Sequence, residues 1–104
     1  MKIAIATIDK NDNSEISSRA GRAPFFLIFN EKEELLEVVS NPFSVGGGGV
    51  GIAVAKMLAD KGIDVFVAET LGENIINSLK EKGVKYYEKQ GTAKKALQEV
   101  IKAQ

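Results

Sequence analysis

The residues best suited to do chemistry in this chain begin with a run of glycines. Gly46, Gly47, Gly48, Gly49 and Gly51 stand immediately before a helical apolar pattern. Backbone N–H groups at the start of a helix carry partial positive charge, and glycine lets a ligand approach them closely. The run therefore predicts a binding site for an anionic or oxygen-rich ligand. The alternative is a purely structural loop that lets the helix pack closely on the sheet.

Two arginines form the second candidate. Arg19 and Arg22, the chain's only arginines, flank Gly21 just before a predicted strand, and Ser17 adds a hydroxyl. A guanidinium can grip a phosphate or carboxylate with two hydrogen bonds. We predict a cofactor-binding cleft where this segment meets the glycine run, with Thr92 as a secondary contact at another helix start. The alternative is that the arginines are solvated or pair with glutamates.

The glycine run also matches a nucleotide-binding pattern weakly. Gly46, Gly48 and Gly51 satisfy G-x-G-x-x-G, and Glu69 ends the next predicted strand, near where a ribose-binding acid belongs. The pattern should follow the first parallel strand, whereas here it follows an Asn-Pro loop. A phosphate-binding Walker loop is excluded because no lysine follows Gly51.

Metal ligation by nitrogen or sulfur is excluded by composition. The chain has no histidine and no cysteine, the residues that usually hold transition metals. The polar segment from Asp9 imitates the opening of a calcium loop. However, Ser14 replaces the glycine expected at the sixth place and Ala20 the glutamate expected at the twelfth. We therefore expect a solvated loop and no metal-ligating side chains.

Catalysis has little support in the sequence. No histidine base, cysteine nucleophile or serine elbow is present. The acids near predicted strand ends are Asp9, Glu69 and Glu88, and a nuclease would require such acids to cluster. We predict a protein without catalytic residues. A small enzyme acting on a phosphorylated or nucleotide substrate, with Asp9 or Glu69 as base, remains the alternative.

Length and charge set further limits. The 104 residues predict one domain over residues 1–104. Lysine plus arginine equals aspartate plus glutamate, 14 each, so no net field attracts nucleic acid or an anionic membrane. No signal peptide or membrane span is evident, which predicts a cytoplasmic protein. The dominance of lysine and glutamate, with no cysteine, favours a thermophilic source.

Hydrophobic periodicity predicts an α/β domain. Short apolar runs predict five strands at residues 2–8, 24–30, 35–40, 63–68 and 84–88. Helical spacing predicts helices over 49–59 and 72–82, and a last helix capped by Thr92. The order β-β-β-α-β-α-β-α implies parallel pairing with right-handed crossovers late in the chain and an antiparallel hairpin early.

The motifs resemble one known family along nearly the whole chain. The matching segments are S-S-R-A-G-R-A-P-F-F (17–26), N-P-F (41–43), G-V-G (49–51), G-I-D-V (62–65), G-V-K-Y-Y (83–87) and G-T-A-K-K-A-L (91–97). The chain resembles the dinitrogenase iron–molybdenum cofactor-binding family of small nitrogenase accessory proteins. That resemblance implies a three-layer α/β/α, ribonuclease H-like fold with a five-stranded mixed sheet.

The resemblance also implies a carrier of an iron–sulfur-type or iron–molybdenum cluster. Family members of that kind typically show S-x-H-F-G-R-A, but here Arg19 replaces the histidine and Ala20 the phenylalanine. Ser17, Gly21 and Arg22 match the pattern. We therefore expect a non-catalytic module that binds a metal cluster or another small anion. The alternative is a protein-interaction module without ligand, such as a homodimer formed through an apolar patch on the hairpin at residues 25–29.

Overall fold

The computed structural model describes residues 1–45 and 50–104, so residues 46–49 of the glycine run lie outside the described residues. Every predicted strand and helix is present in the predicted order, with ends shifted by a residue or two. The bounds are β1 Ile3–Thr7, β2 Phe25–Phe29, β3 Leu35–Ser40, α1 Val50–Asp60, β4 Val65–Ala68, α2 Glu73–Glu81, β5 Lys85–Glu88 and α3 Ala93–Lys102.

The strands form one mixed sheet, which confirms the predicted fold class. Their order is β3-β2-β1-β4-β5. β2 is antiparallel to both of its neighbours, whereas β1, β4 and β5 are parallel to one another. All strands except β2 therefore run in the same direction. Their carboxyl ends share one side of the sheet, which we call the carboxyl edge.

The alternation of side chains along the strands builds a layer of helix on each face. On β1, Ala4 and Ala6 belong to the cluster packed against α1 and α2, whereas Ile3 and Ile5 belong to the cluster packed against α3. All of Ile3–Thr7 is buried, as its continuous apolar run predicts. The result is the expected α/β/α arrangement.

Glycines end the first two helices and turn the chain back into the sheet. Gly62 follows α1 with φ of 76°, and Gly83 follows α2 with φ of 70°. This left-handed conformation favours glycine because other residues carry a Cβ atom. Each helix therefore starts at the carboxyl edge and ends at the opposite one. None of the helices within the described residues has the length and apolar character needed to cross a bilayer.

Candidate anion-binding site

A short segment of the β1–β2 connection separates the carboxyl ends of β1 and β4. Ile16 forms an antiparallel bridge with Thr7, and the N–H of Ser17 donates to the carbonyl of Ala6 at 2.8 Å. On the other side, the N–H of Glu69 donates to the carbonyl of Ser17 at 3.3 Å. The main chain of Ser17 is thus held from both sides, and the residues that follow it lie over the carboxyl edge.

The side chain of Ser17 shapes the turn that follows. Its hydroxyl accepts a hydrogen bond from the N–H of Arg19 at 3.4 Å and donates to the carbonyl of the same residue at 3.2 Å. Ser17 is buried, whereas Ser18 and Arg19 are exposed. The Ser17 hydroxyl, which the sequence predicts to contact the ligand, therefore lies beneath the loop. There it stabilises the turn that exposes Arg19 at the surface.

A cleft of about 470 Å³ opens at the carboxyl edge beside Arg19. We call it the Arg19 cleft. It is lined by four consecutive loop residues, one residue of α1, and the start of α2 with the loop before it: Ser18, Arg19, Ala20, Gly21, Gly51, Thr70, Gly72, Glu73, Asn74 and Ile75. Its volume lies in the range of small-molecule sites.

Two of the predicted glycines allow the walls of the cleft to meet. A Cβ atom on Gly21 would lie 2.8 Å from Val50 Cγ1, which is closer than real carbon atoms pack. A Cβ atom on Gly51 would lie 3.3 Å from both the backbone nitrogen and the Cβ of Ile75. Glycine at these positions therefore brings the loop, α1 and α2 into direct contact around the cleft.

The start of α2 presents backbone N–H groups to the cleft that have no acceptor among the described residues. Its N-cap is Gly72, and no side chain of the described residues caps the helix. Ile76 is the first residue whose N–H bonds within the helix, to the Gly72 carbonyl at 3.0 Å. The N–H groups of Glu73, Asn74 and Ile75 precede it and have no intrahelical acceptor. They lie at the positive end of the helix dipole, where an anion is stabilised.

The start of α3 differs, because the chain itself satisfies its donors. Thr92 Oγ1 accepts from the N–H of Lys95 at 3.3 Å. The N–H groups of Ala93 and Lys94 each donate at 2.9 Å, to the carbonyls of Ser14 and Asp12 respectively. The predicted N-cap is therefore present. Thr92 does not line the Arg19 cleft, so among the described residues this predicted secondary contact is not in the cleft with Arg19 and Gly51.

Arg22 has a different position from Arg19. Its Nη1 donates to the carbonyl of Phe43 at 3.5 Å, and the residue is half-buried. It joins the loop of the β1–β2 connection to the segment that follows β3, and it does not line the cleft. Of the two predicted arginines, the structure therefore brings only Arg19 to the cleft.

Asn41 is a site-supporting residue that sequence reasoning missed. Its buried side-chain Nδ2 donates to the carbonyls of Gly21 and Ala23, each at 2.9 Å. Its Oδ1 accepts from the N–H of Phe43 at 2.9 Å. One amide thus fixes the loop that carries Arg19 to the segment leading to α1. The only sequence signal was an asparagine before a proline, which indicates a turn and not a long-range contact.

Glu88 supports the other wall of the cleft. Its Oε2 accepts from the N–H of Leu71 at 2.9 Å, and so joins the end of β5 to the loop between β4 and α2. This contact holds the chain just before Gly72. The sequence placed Glu88 at a strand end but gave no reason to pair it with that loop.

The charges around the cleft are nearly balanced. Arg19 contributes the one positive side chain of the lining, and Glu73 the one negative side chain. Both side chains are exposed. The preference for an anion therefore depends on the backbone dipoles of α2 added to Arg19, and Glu73 opposes it.

The acidic side chains of the described residues are scattered. Within residues 1–45 and 50–104, no three histidine, cysteine, aspartate or glutamate side chains come together around a possible ion. The strand-end acids Asp9, Glu69 and Glu88 lie outside the cleft lining. The cleft can hold a negatively charged group through a guanidinium and amide N–H groups, which is the chemistry of anion binding.

The fold and much of the sequence are similar to known proteins. The apo form of the orange protein from Desulfovibrio gigas superposes with a TM-score of 0.90 over 99% of this chain and 88% of that chain. At 24% identity, it shows the shared fold. A Thermotoga protein of the DUF35 family has a TM-score of 0.78 and 29% identity over 98% of this chain and 87% of that one. An uncharacterised Methanocaldococcus jannaschii protein is 28% identical over 96 residues, which are 89% of this chain and 78% of that protein.

The family itself is shown by a match that extends over almost the entire sequence. Residues 1–103 match the family model described as dinitrogenase iron-molybdenum cofactor, in agreement with the order of motifs from the Ser17 segment to the last helix. This chain belongs to the dinitrogenase iron–molybdenum cofactor family.

Proposed function

We propose that this chain is a non-catalytic carrier that holds a compact anion in the Arg19 cleft. One observation carries the proposal. The uncapped start of α2 opens into the same cleft as Arg19, whereas the donors at the start of α3 are satisfied by the chain's own carbonyls. The family match supports a ligand of the iron–molybdenum or iron–sulfur cluster class. A different small anion of similar size is the alternative.

The residues of the cleft suit a cluster that brings its own ligands. The sequence contains no imidazole or thiol, so side chains cannot bind a metal through nitrogen or sulfur in the usual way. A guanidinium from Arg19 and the N–H groups of Glu73, Asn74 and Ile75 would instead donate hydrogen bonds to sulfur or oxygen atoms on the surface of the anion. Binding of this kind requires a cleft whose charge and shape complement the anion, and it does not require a coordination bond.

The cleft also lacks the constellation that covalent catalysis requires. Its lining offers one carboxylate, Glu73, and the hydroxyls of Ser18 and Thr70. A hydroxyl nucleophile needs a base within hydrogen-bond reach, and within the described residues neither hydroxyl bonds to Glu73. These features favour carriage of a ligand over a reaction on a phosphorylated substrate.

The test is anaerobic reconstitution of the purified chain with iron and sulfide, and separately with molybdate. Visible absorbance and metal content are measured after gel filtration. We expect one of the two preparations to retain its metal. Arg19→Ala should weaken retention about ten-fold, as expected for losing a charged hydrogen bond. Lys94→Ala is the matched control, because it removes one positive charge at the start of α3, outside the cleft.

Arg22→Ala separates a structural arginine from a binding one. Because Arg22 Nη1 bonds to the carbonyl of Phe43, this variant should lower the melting temperature, whereas Arg19→Ala should leave it unchanged. The proposal of a metal-containing ligand is wrong if wild type retains no metal in either preparation. It is also wrong if Arg19→Ala and Lys94→Ala retain the same amount.

A further inference from the structure

β3 is an edge strand with little protection. Within residues 1–45 and 50–104 it pairs only with β2, and its residues are mostly exposed. Leu35, Leu36 and Val38 are 44%, 50% and 39% exposed. Natural proteins usually protect such an edge with a lysine, a proline or a bulge. This strand has no lysine and no proline, and its one irregularity is a register shift at its start, opposite Ile28 and Phe29. Its one charge, Glu37, forms an ion pair with Lys61 of α1 at 2.9 Å.

Apolar surface flanks this edge on both faces of the sheet. Val38 lies opposite Leu27, which belongs to the α3 face, so its exposed side chain stands on that face. On the other face, a groove of about 390 Å³ lies along α1, with Phe43, Ala53 and Met57 among its lining residues. Lys61 also lines this groove, and its ion pair with Glu37 places β3 beside it. An added strand would therefore find apolar surface on both of its faces.

We propose that β3 is a dimerisation edge, on which the β3 of a second copy pairs in antiparallel orientation around a two-fold axis at Val38. The outward N–H and C=O groups of an edge strand can form hydrogen bonds with another strand. β3 itself has the required composition, since four of its six residues are leucine or valine. The two sheets would join into one sheet of ten strands.

The register of the two β3 strands follows from the face of the sheet on which each side chain lies and from the position of the charges. In an antiparallel pair, opposite residues lie on the same face of the sheet. An axis at Val38 satisfies this rule and places Leu36 opposite Ser40 and Glu37 opposite Val39. An axis at Glu37 would pair Leu35 with Val39 across the register shift of β3. It would also place two Glu37 carboxylates directly opposite each other, which is destabilising.

The charges outside the strand are compatible with this register. The turn at residues 31–34, which carries three glutamates, would face residues 42–45 of the second copy. That segment, Pro42 to Val45, has no charged residue, so no like charges meet. Because the paired strands are antiparallel, the carboxyl edges of the two copies point in opposite directions. The two Arg19 clefts would lie far apart, and dimerisation does not depend on the proposed function.

Sedimentation equilibrium of the full chain, from micromolar to near-millimolar concentration, tests the association. We expect wild type to form a dimer with increasing concentration. Val38→Lys should raise the dissociation constant at least ten-fold, because two ammonium groups would meet at the axis. Asn77→Lys, an exposed position on α2, adds the same charge elsewhere and should leave the dimer intact. A wild type that stays monomeric, or equal effects of the two lysine variants, would overturn the proposal.

Cross-linking tests the register and does not depend on whether Val38→Lys folds. The two-fold axis places the Val38 side chains of both copies directly opposite each other, at a Cβ separation of about 4.5–5.5 Å. Mild oxidation of Val38→Cys should therefore produce a covalent dimer. Leu36→Cys should cross-link much less, because Ser40 of the other copy lies opposite it. Equal yields from the two cysteine variants would mean that this register is wrong.

Discussion

Gly21 and Val50 are in contact so closely that no side chain fits between them. A Cβ atom on Gly21 would lie 2.8 Å from Val50 Cγ1 and 3.9 Å from the backbone nitrogen of Gly51. The loop that carries Arg19 is therefore packed directly on the first turn of α1. This contact sets the width of the Arg19 cleft on the side of α1.

Gly21→Ala should lower the free energy of unfolding by about 1–3 kcal/mol, the usual cost of overpacking. The backbone conformation is not the cause, because Gly21 is not among the glycines with positive φ. Val50→Ala removes the clashing methyl group, so the double variant should recover most of the loss. A double-mutant cycle measured by urea unfolding should give a coupling of about 1 kcal/mol or more between the two sites.

The cycle also tests whether this contact matters for the ligand. If Gly21→Ala displaces the loop, anion retention should fall in the single variant and return in the double variant. Additive effects on stability, with no coupling, would contradict the packing role that we assign to Gly21.

Much of the fold could be predicted because its determinants are local. The spacing of apolar residues distinguished strands from helices. Gly62 and Gly83 indicated where helices end, because both adopt a positive φ that favours glycine. The alternative of an interaction module depended on an apolar patch on the hairpin. The strand at residues 25–29 does not supply this patch, because Phe26 and Phe29 are buried under helices on opposite faces.

The exposed apolar side chains lie instead on the other strand of the hairpin, β3. Alternation within a strand shows that residues face two sides, but it does not show which strand lies at the edge. Strand order depends on contacts distant in sequence, such as the parallel pairing of β1 with β4.

The site was predicted in part, and the missing part is long-range. The residue types indicated an anionic ligand and suggested Arg19 and Gly51 as binding residues. Both residues line the cleft. Sequence reasoning assigned equal weight to Arg22, because nothing local reveals its bond to Phe43. Asn41 and Glu88 hold the two walls through hydrogen bonds to residues 17 or more positions away, which composition and spacing do not report.

Gly72→Asp should stabilise the protein and weaken the binding of anions. Gly72 has an extended N-cap conformation that other residues adopt, with φ of −71° and ψ of 158°, and a Cβ atom there would meet nothing within 4 Å. An aspartate would accept from N–H groups in the first turn of α2 and complement its dipole, which adds about 0.5 kcal/mol. The same carboxylate would occupy the donors that the ligand needs and would repel its charge.

Gly72→Ala is the control, since it adds only the Cβ atom. It should keep anion retention close to wild type while giving no gain in melting temperature, because alanine is a poor N-cap. A Gly72→Asp variant that is more stable and still retains the anion fully would show that the start of α2 does not contact the ligand.

Glu73→Gln should strengthen anion binding. Glu73 is the one acidic side chain of the cleft lining, and it lies beside the N–H groups that we assign to the ligand. Glutamine has nearly the same shape, so the variant removes the charge and leaves the cleft otherwise intact. We expect the dissociation constant for molybdate, measured by equilibrium dialysis, to fall several-fold at low salt. The gain should shrink at high salt, because exposed charges are screened there.

The stability of Glu73→Gln should change in the opposite direction. A carboxylate in the first turn of a helix stabilises the folded protein by about 0.3–1 kcal/mol through the helix dipole. Glutamine is neutral and lacks that contribution. Glu81→Gln, at the far end of the same helix and exposed, is the matched control. It removes the same charge away from the cleft and should leave the affinity unchanged. Equal gains in affinity from both variants would mean that only the net charge of the protein matters, and the ligand would not then be placed beside Glu73.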